Sequence, residues 1–174
     1  MADGGPRPDS PQRPPVEALS WRRQVPADAP FDARLFAEVT RHALGLPEAL
    51  LPAAVIEAQH RSRQDTYQAL HGSAEAWILE LAGEPVGQIL LETRQGELFI
   101  VDMALLPAVQ GRGLGRRVIR TVQTMAAAGG RGIRAHVAAG NAACQAMMRA
   151  CGMILHPDPG AAYWRLEWAP PPPR

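Results

Sequence analysis

The sequence predicts a single α/β domain built on one mixed β-sheet with helices on both faces. Three observations carry this reading. Residues 98–105, LFIVDMAL, are apolar at almost every position, which strands show when helices cover both of their faces. A strand-like segment at 98–105, a helical one at 114–128 and another strand at 133–139 then form a crossover unit, which should be parallel and right-handed. Earlier, residues 77–81 and 86–92 read as strands joined by GEP at 83–85, so the sheet also carries an antiparallel meander.

The elements follow in order. Residues 1–16 carry five prolines and two adjacent glycines with little apolar content, and are expected to form a disordered tail before a domain at 17–169. Residues 21–25 suit a short first strand. Phe31, Leu35, Phe36 and Val39 make a helical stripe within 29–42, and a second helix is expected over 47–70. RQG at 94–96 turns into the central strand. Leu114, Val118, Val122 and Met125 repeat at helical spacing, with arginines on other faces, and AGGRG at 128–132 ends that helix. Asn141 is placed to cap a last helix that carries Cys144, Met147, Met148 and Cys151 and closes at Gly152. Strands at 153–155 and 163–168 flank the HPDPG turn, and the prolines of 170–174 stop the last strand.

Composition narrows the class further. At 174 residues the chain can bury a core without metal or disulfide staples. A hydrophobic share of 47% with 20% charged residues matches a soluble globular protein, and with no signal-peptide pattern and no membrane-length apolar run the expected location is cytoplasmic. A net charge of +1 gives no support for a nucleic-acid or membrane partner. Cys144 and Cys151 lie two helical turns apart, roughly 10 Å along an axis, too far for a disulfide, and no zinc-ligand spacing exists.

The segment LLPAVQGRGLGRR, 105–117, sits where the central strand ends and a helix begins. A helix N-terminus leaves amides unpaired beside partial positive charge, so an anion is the natural occupant. Glycines at 111, 113 and 115 remove side chains that would hold a phosphate away and permit positive φ angles. The nucleoside-triphosphate loop needs a lysine, and all 18 basic residues counted as Lys or Arg are arginine. The dinucleotide fingerprint needs glycine where Arg116 stands and an acidic residue near 130–135, which is missing.

Gln110, Gly113 and Gly115 fill the pattern Q/R-x-x-G-x-G/A, and with the flanking DMALLPAVQGRGLGRRVI and HVAAGNAACQAMMRACGM the chain resembles the GNAT acyltransferases over residues 74–168. The resemblance implies a splayed mixed sheet of six or seven strands and acetyl-CoA as co-substrate, with no metal. It also implies that main-chain groups of Met103, Ala104 and Leu105 pair with the pantetheine arm. The pyrophosphate would then rest on Gln110, Gly111, Arg112, Gly113, Leu114, Gly115 and Arg116, with Asn141 reaching the cofactor. Arg112 and Arg116 serve equally as a solvated helix start, and Asn141 equally as a plain cap.

The family's usual tyrosine acid falls, counting from Asn141, at Met148, which cannot donate a proton. Substitutes are His136, Tyr163 and Asp102; each has a structural alternative, a packed or surface histidine, a sheet-packing tyrosine and a buried polar anchor. The implied activity is direct acetyl transfer to a primary amine, either a small molecule or a peptide or protein amine. The alternative is a non-catalytic acyl-CoA-binding adaptor on the same fold. Glu57, His60, Tyr67 and His71 lie on or near the second helix without forming an evident cluster, and a homodimer is compatible with the last strand.

Overall fold

The computed structural model describes residues 18–45 and 50–171; the expected N-terminal tail, the start of the second helix at 47 and the last three residues lie outside these. The chain runs β1 (Leu19–Arg23), α1 (Ala29–Leu44), α2 (Ala53–Leu70), β2 (Glu75–Leu81), β3 (Glu84–Arg94), β4 (Glu97–Leu105), α3 (Leu114–Ala128), β5 (Ile133–Ala138), α4 (Ala142–Ala150), β6 (Ile154–His156) and β7 (Tyr163–Trp168). These seven strands form one sheet in the order β1-β2-β3-β4-β5-β7-β6. Only β4 and β5 pair in parallel, as a crossover through α3 requires.

Two local readings are corrected. β1 ends at Arg23, because Arg22 turns back to grip Asp28 through two 2.7 Å bonds while the Val25 amide caps the same carboxylate at 2.8 Å. That grip anchors β1 to the start of α1, and the Arg22 bonds hold the Asp28 carboxyl down at about 2. The turn expected at 83–85 lies one residue earlier: Ala82 and Gly83 take positive φ, which matches the twist of a two-residue hairpin. Pro85 is therefore inside β3. The β2–β3 register shifts between Leu79 and Glu80, leaving Val86 as an extra residue, and such a bulge is where a strand accepts a proline.

α3 and α4 pack on one face of the sheet. Leu114, Val118, Ile119, Val122 and Ala126 turn inward from α3 onto Leu98, Ile100, Leu105, Ile133, Ala135 and Val137, with Met148 of α4 joining the same core. α1 and α2 cover the other face, where His71 stacks on Phe99 and Arg63 bonds Asp102. Strict alternation from Leu98 and Ile100 would carry Asp102 into the α3 core, an uncompensated charge in apolar surroundings. A bulge prevents this. Leu91 pairs with Ile100 but Leu90 pairs with Asp102, so Val101 is the extra residue and the phase of β4 reverses after it. Met103 and Leu105 thereby face α3, and Asp102 faces α2.

Candidate functional site

The bulge coincides with the end of the parallel ladder. β5 meets β4 only at Leu98↔Ile133, Phe99↔Arg134 and Ile100↔Ala135, although both strands continue. From Val101 onward the two strands part, and the edge of β4 toward β5 lacks a strand partner. On its other edge β4 stays zipped to β3 as far as Gly87↔Leu105. Gly87 is required there: a Cβ at that position would sit 2.5 Å from the Ala104 carbonyl oxygen. The Leu106 amide donates to Val86, so by the alternation of an antiparallel ladder Ala104 also turns its main-chain groups toward β3. Of the three residues expected to edge the opening, only Met103 and Leu105 do so.

The glycine loop closes the wide end of this opening. Gly111 (φ 75°) and Gly113 (φ 79°) both take left-handed backbone, and nothing lies within 4 Å of where their side chains would be. Among the described residues no carbonyl accepts from the amides of 111–116; the first α3 amide with an acceptor is that of Arg117, bonded to Gly113. Unpaired amides at a helix start, beside two open glycines, form an anion cradle. Leu114 is buried and anchors the helix start in the core, while Arg112 and Arg116 are exposed beside the cradle. Gln110 donates from Nε2 to the Leu105 carbonyl at 2.8 Å, tying the loop to the end of β4. A Cβ at Gly115 would meet the side chains of Met147 and Leu105 at ordinary contact distance, so this glycine is not sterically required.

A second feature lies on the α2 face. Ile56, His60, Arg63, Tyr67 and His71 recur at spacings of four and three, so one stripe of α2 looks at the sheet, and only Ile56 in it is buried and apolar. The stripe roofs a cavity of about 410 Å³ whose lining includes Gln24, Asp32, Gln88 and Asp102. Arg63 lies between the rings of Phe36 and Tyr67, 5.2 and 5.1 Å from their centroids, and bonds the Asp102 carboxylate. Burial pushes the Asp102 carboxyl up and the Arg63 charge opposes it. Burial also raises the Tyr67 phenol, helped by the Asp102 charge, so Tyr67 keeps its proton at neutral pH. At the two ends of the cavity sit histidine–carboxylate pairs: His60 Nε2 with Asp32 at 3.1 Å, and His71 Nδ1 with Glu92 at 2.8 Å.

Residues 44–153 match the model of the Acetyltransferase (GNAT) family, well over half of the chain. The chain belongs to the GNAT acetyltransferase family. Solved structures of similar fold include an acetyltransferase from Thermus thermophilus, 24% identical, covering 88% of this chain and 98% of that one at a TM-score of 0.67. Another is the PaiA N-acetyltransferase from Thermoplasma acidophilum in complex with coenzyme A, 11% identical, covering 87% and 99% at 0.68. RimL, a ribosomal L7/L12 alpha-N-protein acetyltransferase in complex with coenzyme A, is 14% identical over 87% and 94% at 0.62. No curated protein sequence matches the chain.

The acetyltransferase treats its predicted residues unequally. Met103, Leu105 and the loop 110–116 come together around the opening. Asn141 caps α4, accepting from the Cys144 amide at 3.0 Å, which commits its Oδ1 to the helix. Asp102 is anchored by Arg63. His136 projects from β5 onto the edge of the Phe99 ring, 5.5 Å between centroids, and partial burial together with Arg165 and Arg134 lowers its basicity. Tyr163 is 64% exposed at the end of β7, which leaves it little packing role. Met148 is a core residue at 4% exposure. Both cysteines are free thiols. Among the described residues no helix is long and apolar enough to cross a membrane, and no His, Cys, Asp and Glu cluster could hold a metal. Unforeseen are Arg63, Asp32 and Glu92, and with them the convergence of His60, Tyr67 and His71 on one cavity.

Proposed function

We propose that this chain transfers the acetyl group of acetyl-CoA directly to a primary amine bound in the cavity beneath α2. The observation that carries the reading is the coincidence of a parted β4–β5 edge with unpartnered amides at 111–116. These groups suit the co-substrate at both of its polar ends. The amides and open glycines fit a pyrophosphate, with Arg112 and Arg116 alongside it, and the Met103 carbonyl and the Leu105 amide, on the edge of β4 that faces the opening, fit the amides of a pantetheine arm. Acetyl-CoA supplies an activated acyl carbon with a thiol leaving group.

The rest falls to the protein. With the pyrophosphate at the loop, an arm lying along β4 points its thioester toward the narrow end of the opening at Ile100 and Val101. Asp102 and Phe99 bracket that point on the α2 face, so an amine in the cavity approaches from the side opposite α3. Orientation of this kind can supply about 7–11 kcal/mol of the barrier to a reaction between two bound partners.

The test is a thermal shift. Acetyl-CoA at 100 times its Kd should stabilise the protein by about 2.7 kcal/mol, roughly 5–10 °C for a domain of this size. Gly113→Glu, which strains the left-handed position and brings a negative charge into the cradle, should remove the shift and leave the apo protein folded. Equal shifts in both proteins would refute the loop assignment. Met148 in the core favours one other reading, an acyl-CoA-binding adaptor, which predicts the same shift with no release of free thiol in the presence of any amine.

A further inference from the structure

We propose that His71, held by the buried Glu92, is the base that takes the proton from the acceptor amine. This rests on the acyl-transfer reading above and adds the residue that reading lacks. Glu92 is 5% exposed and accepts from Ser73 Oγ at 2.6 Å as well as from His71. The bonds from His71 and Ser73 keep its carboxyl below the usual range, so it is ionised and can only accept. The proton in the 2.8 Å contact therefore sits on His71 Nδ1. Neutral imidazole then carries its lone pair on Nε2, on the ring that lines the α2 cavity.

The position is as telling as the tautomer. His71 stacks at 14° on Phe99, 5.7 Å between centroids, and Phe99 belongs to the last three β4 residues that pair with β5. One ring therefore separates the imidazole from the point where the strands part. The other pair, His60 with Asp32, lies against Phe36 of α1, the two rings tilted by 32°, and not against Phe99. The charged and titratable groups facing His71 are Tyr67 and Arg63 from α2, Glu92 with Arg94 behind it from β3, Asp102 from β4 and His136 from β5. Asp102 is engaged by Arg63, the Tyr67 phenol is protonated, and His136 lies outside the cavity lining with its basicity lowered by burial and by Arg165 and Arg134, so His71 is the open proton acceptor among them.

The chemistry balances without a further reactant. The amine arrives as an ammonium, and Nε2 of His71 removes one proton, directly or through one water, leaving an imidazolium stabilised by Glu92. The neutral nitrogen bonds to the acetyl carbon, the carbon–sulfur bond breaks, and the sulfur leaves with the second proton of the amine as free thiol. The imidazolium returns its proton to solvent, so each turnover releases one proton. Glu92 acts through His71 and is a positioning residue.

The experiment compares two acceptors with the full-length protein and acetyl-CoA: benzylamine, charged at neutral pH, and methoxyamine, uncharged there. His71→Gln should lower kcat with benzylamine by about 10²–10⁴-fold and remove the acid limb of its kcat/KM profile. With methoxyamine, which needs no deprotonation before attack, the loss should stay under about tenfold, a split that a structural role would not produce. Glu92→Gln, which keeps the shape and frees the tautomer, should fall between wild type and His71→Gln with benzylamine. Equal losses with both acceptors, no loss with either, or wild-type protein that acetylates neither amine would overturn the proposal. The acetyl-CoA thermal shift must survive in His71→Gln. Its absence from wild type would instead sink the acyl-CoA reading itself.

Discussion

α3 and α2 lie across the same strands on opposite faces, and they are built on opposite rules. α3 presents five buried apolar residues to the sheet, all of them part of the core. α2 presents His60, Arg63 and Tyr67 to the sheet, with His71 just past its end, buries only Ile56, and leaves a cavity of about 410 Å³. A helix with an apolar inner face is a wall; one with a polar inner face is the roof of a site. The contrast divides the domain, with α3 carrying the core and starting with unpaired N-terminal amides, and α2 lining a cavity with polar side chains.

The division can be broken most severely at the wall. Ile119→Ala removes a side chain with no exposed surface and should cost about 2–5 kcal/mol, lowering Tm by roughly 5–15 °C. Tyr67→Phe on the roof should leave Tm within roughly 2 °C, an effect of surface size, while changing turnover. Calorimetry on the two variants checks both halves, and comparable loss of Tm would erase the distinction.

A middle effect is expected where the roof touches the sheet. Arg63→Met leaves Asp102 without its cation, and since about a quarter of each side chain still meets solvent the cost should be about 1–3 kcal/mol at neutral pH. Burial raises the Asp102 carboxyl, so its proton is bound more tightly in the folded protein than in the unfolded chain. The penalty should therefore shrink as pH falls into the carboxylate range and grow as it rises through it. Urea midpoints of wild type and variant between pH 4 and 8 should diverge upward in pH; a constant gap would mean that Asp102 does not carry the effect.

The smallest change sharpens the reading of one residue. Asn141→Ala should cost about 1 kcal/mol through loss of the cap on the Cys144 amide, and Asn141→Ser should recover most of it. The shift produced by acetyl-CoA should stay the same in both, because the Asn141 oxygen serves the helix.

What was legible in the sequence follows the same division. The cradle is written in consecutive residues, since main-chain amides need only glycine, a preceding strand and a following helix, and 98–117 supplies all of these in order. The apolar periodicity of α3 and the cap at Asn141 are local in the same sense. The α2 cavity is different. Its parts come from α1, α2, β2, β3, β4 and the residue that follows β1, as much as 78 positions apart between Gln24 and Asp102, and a polar stripe on a helix looks like a solvated face until the sheet stands opposite it. Glu92 reads as the polar end of a strand, and only the fold turns it under His71. The phase of β4 was also hidden, because a run of apolar residues does not show which one is surplus.

That surplus residue, Val101, has a consequence for how such a site is acquired or lost. Because it alone flips the counting of the strand, its deletion would swing Asp102 toward the greasy side and return Met103 to the other, a wholesale inversion for the loss of one codon. A gap in the parallel ladder and a carboxylate beside it thus stand or fall together, as one inherited unit rather than two.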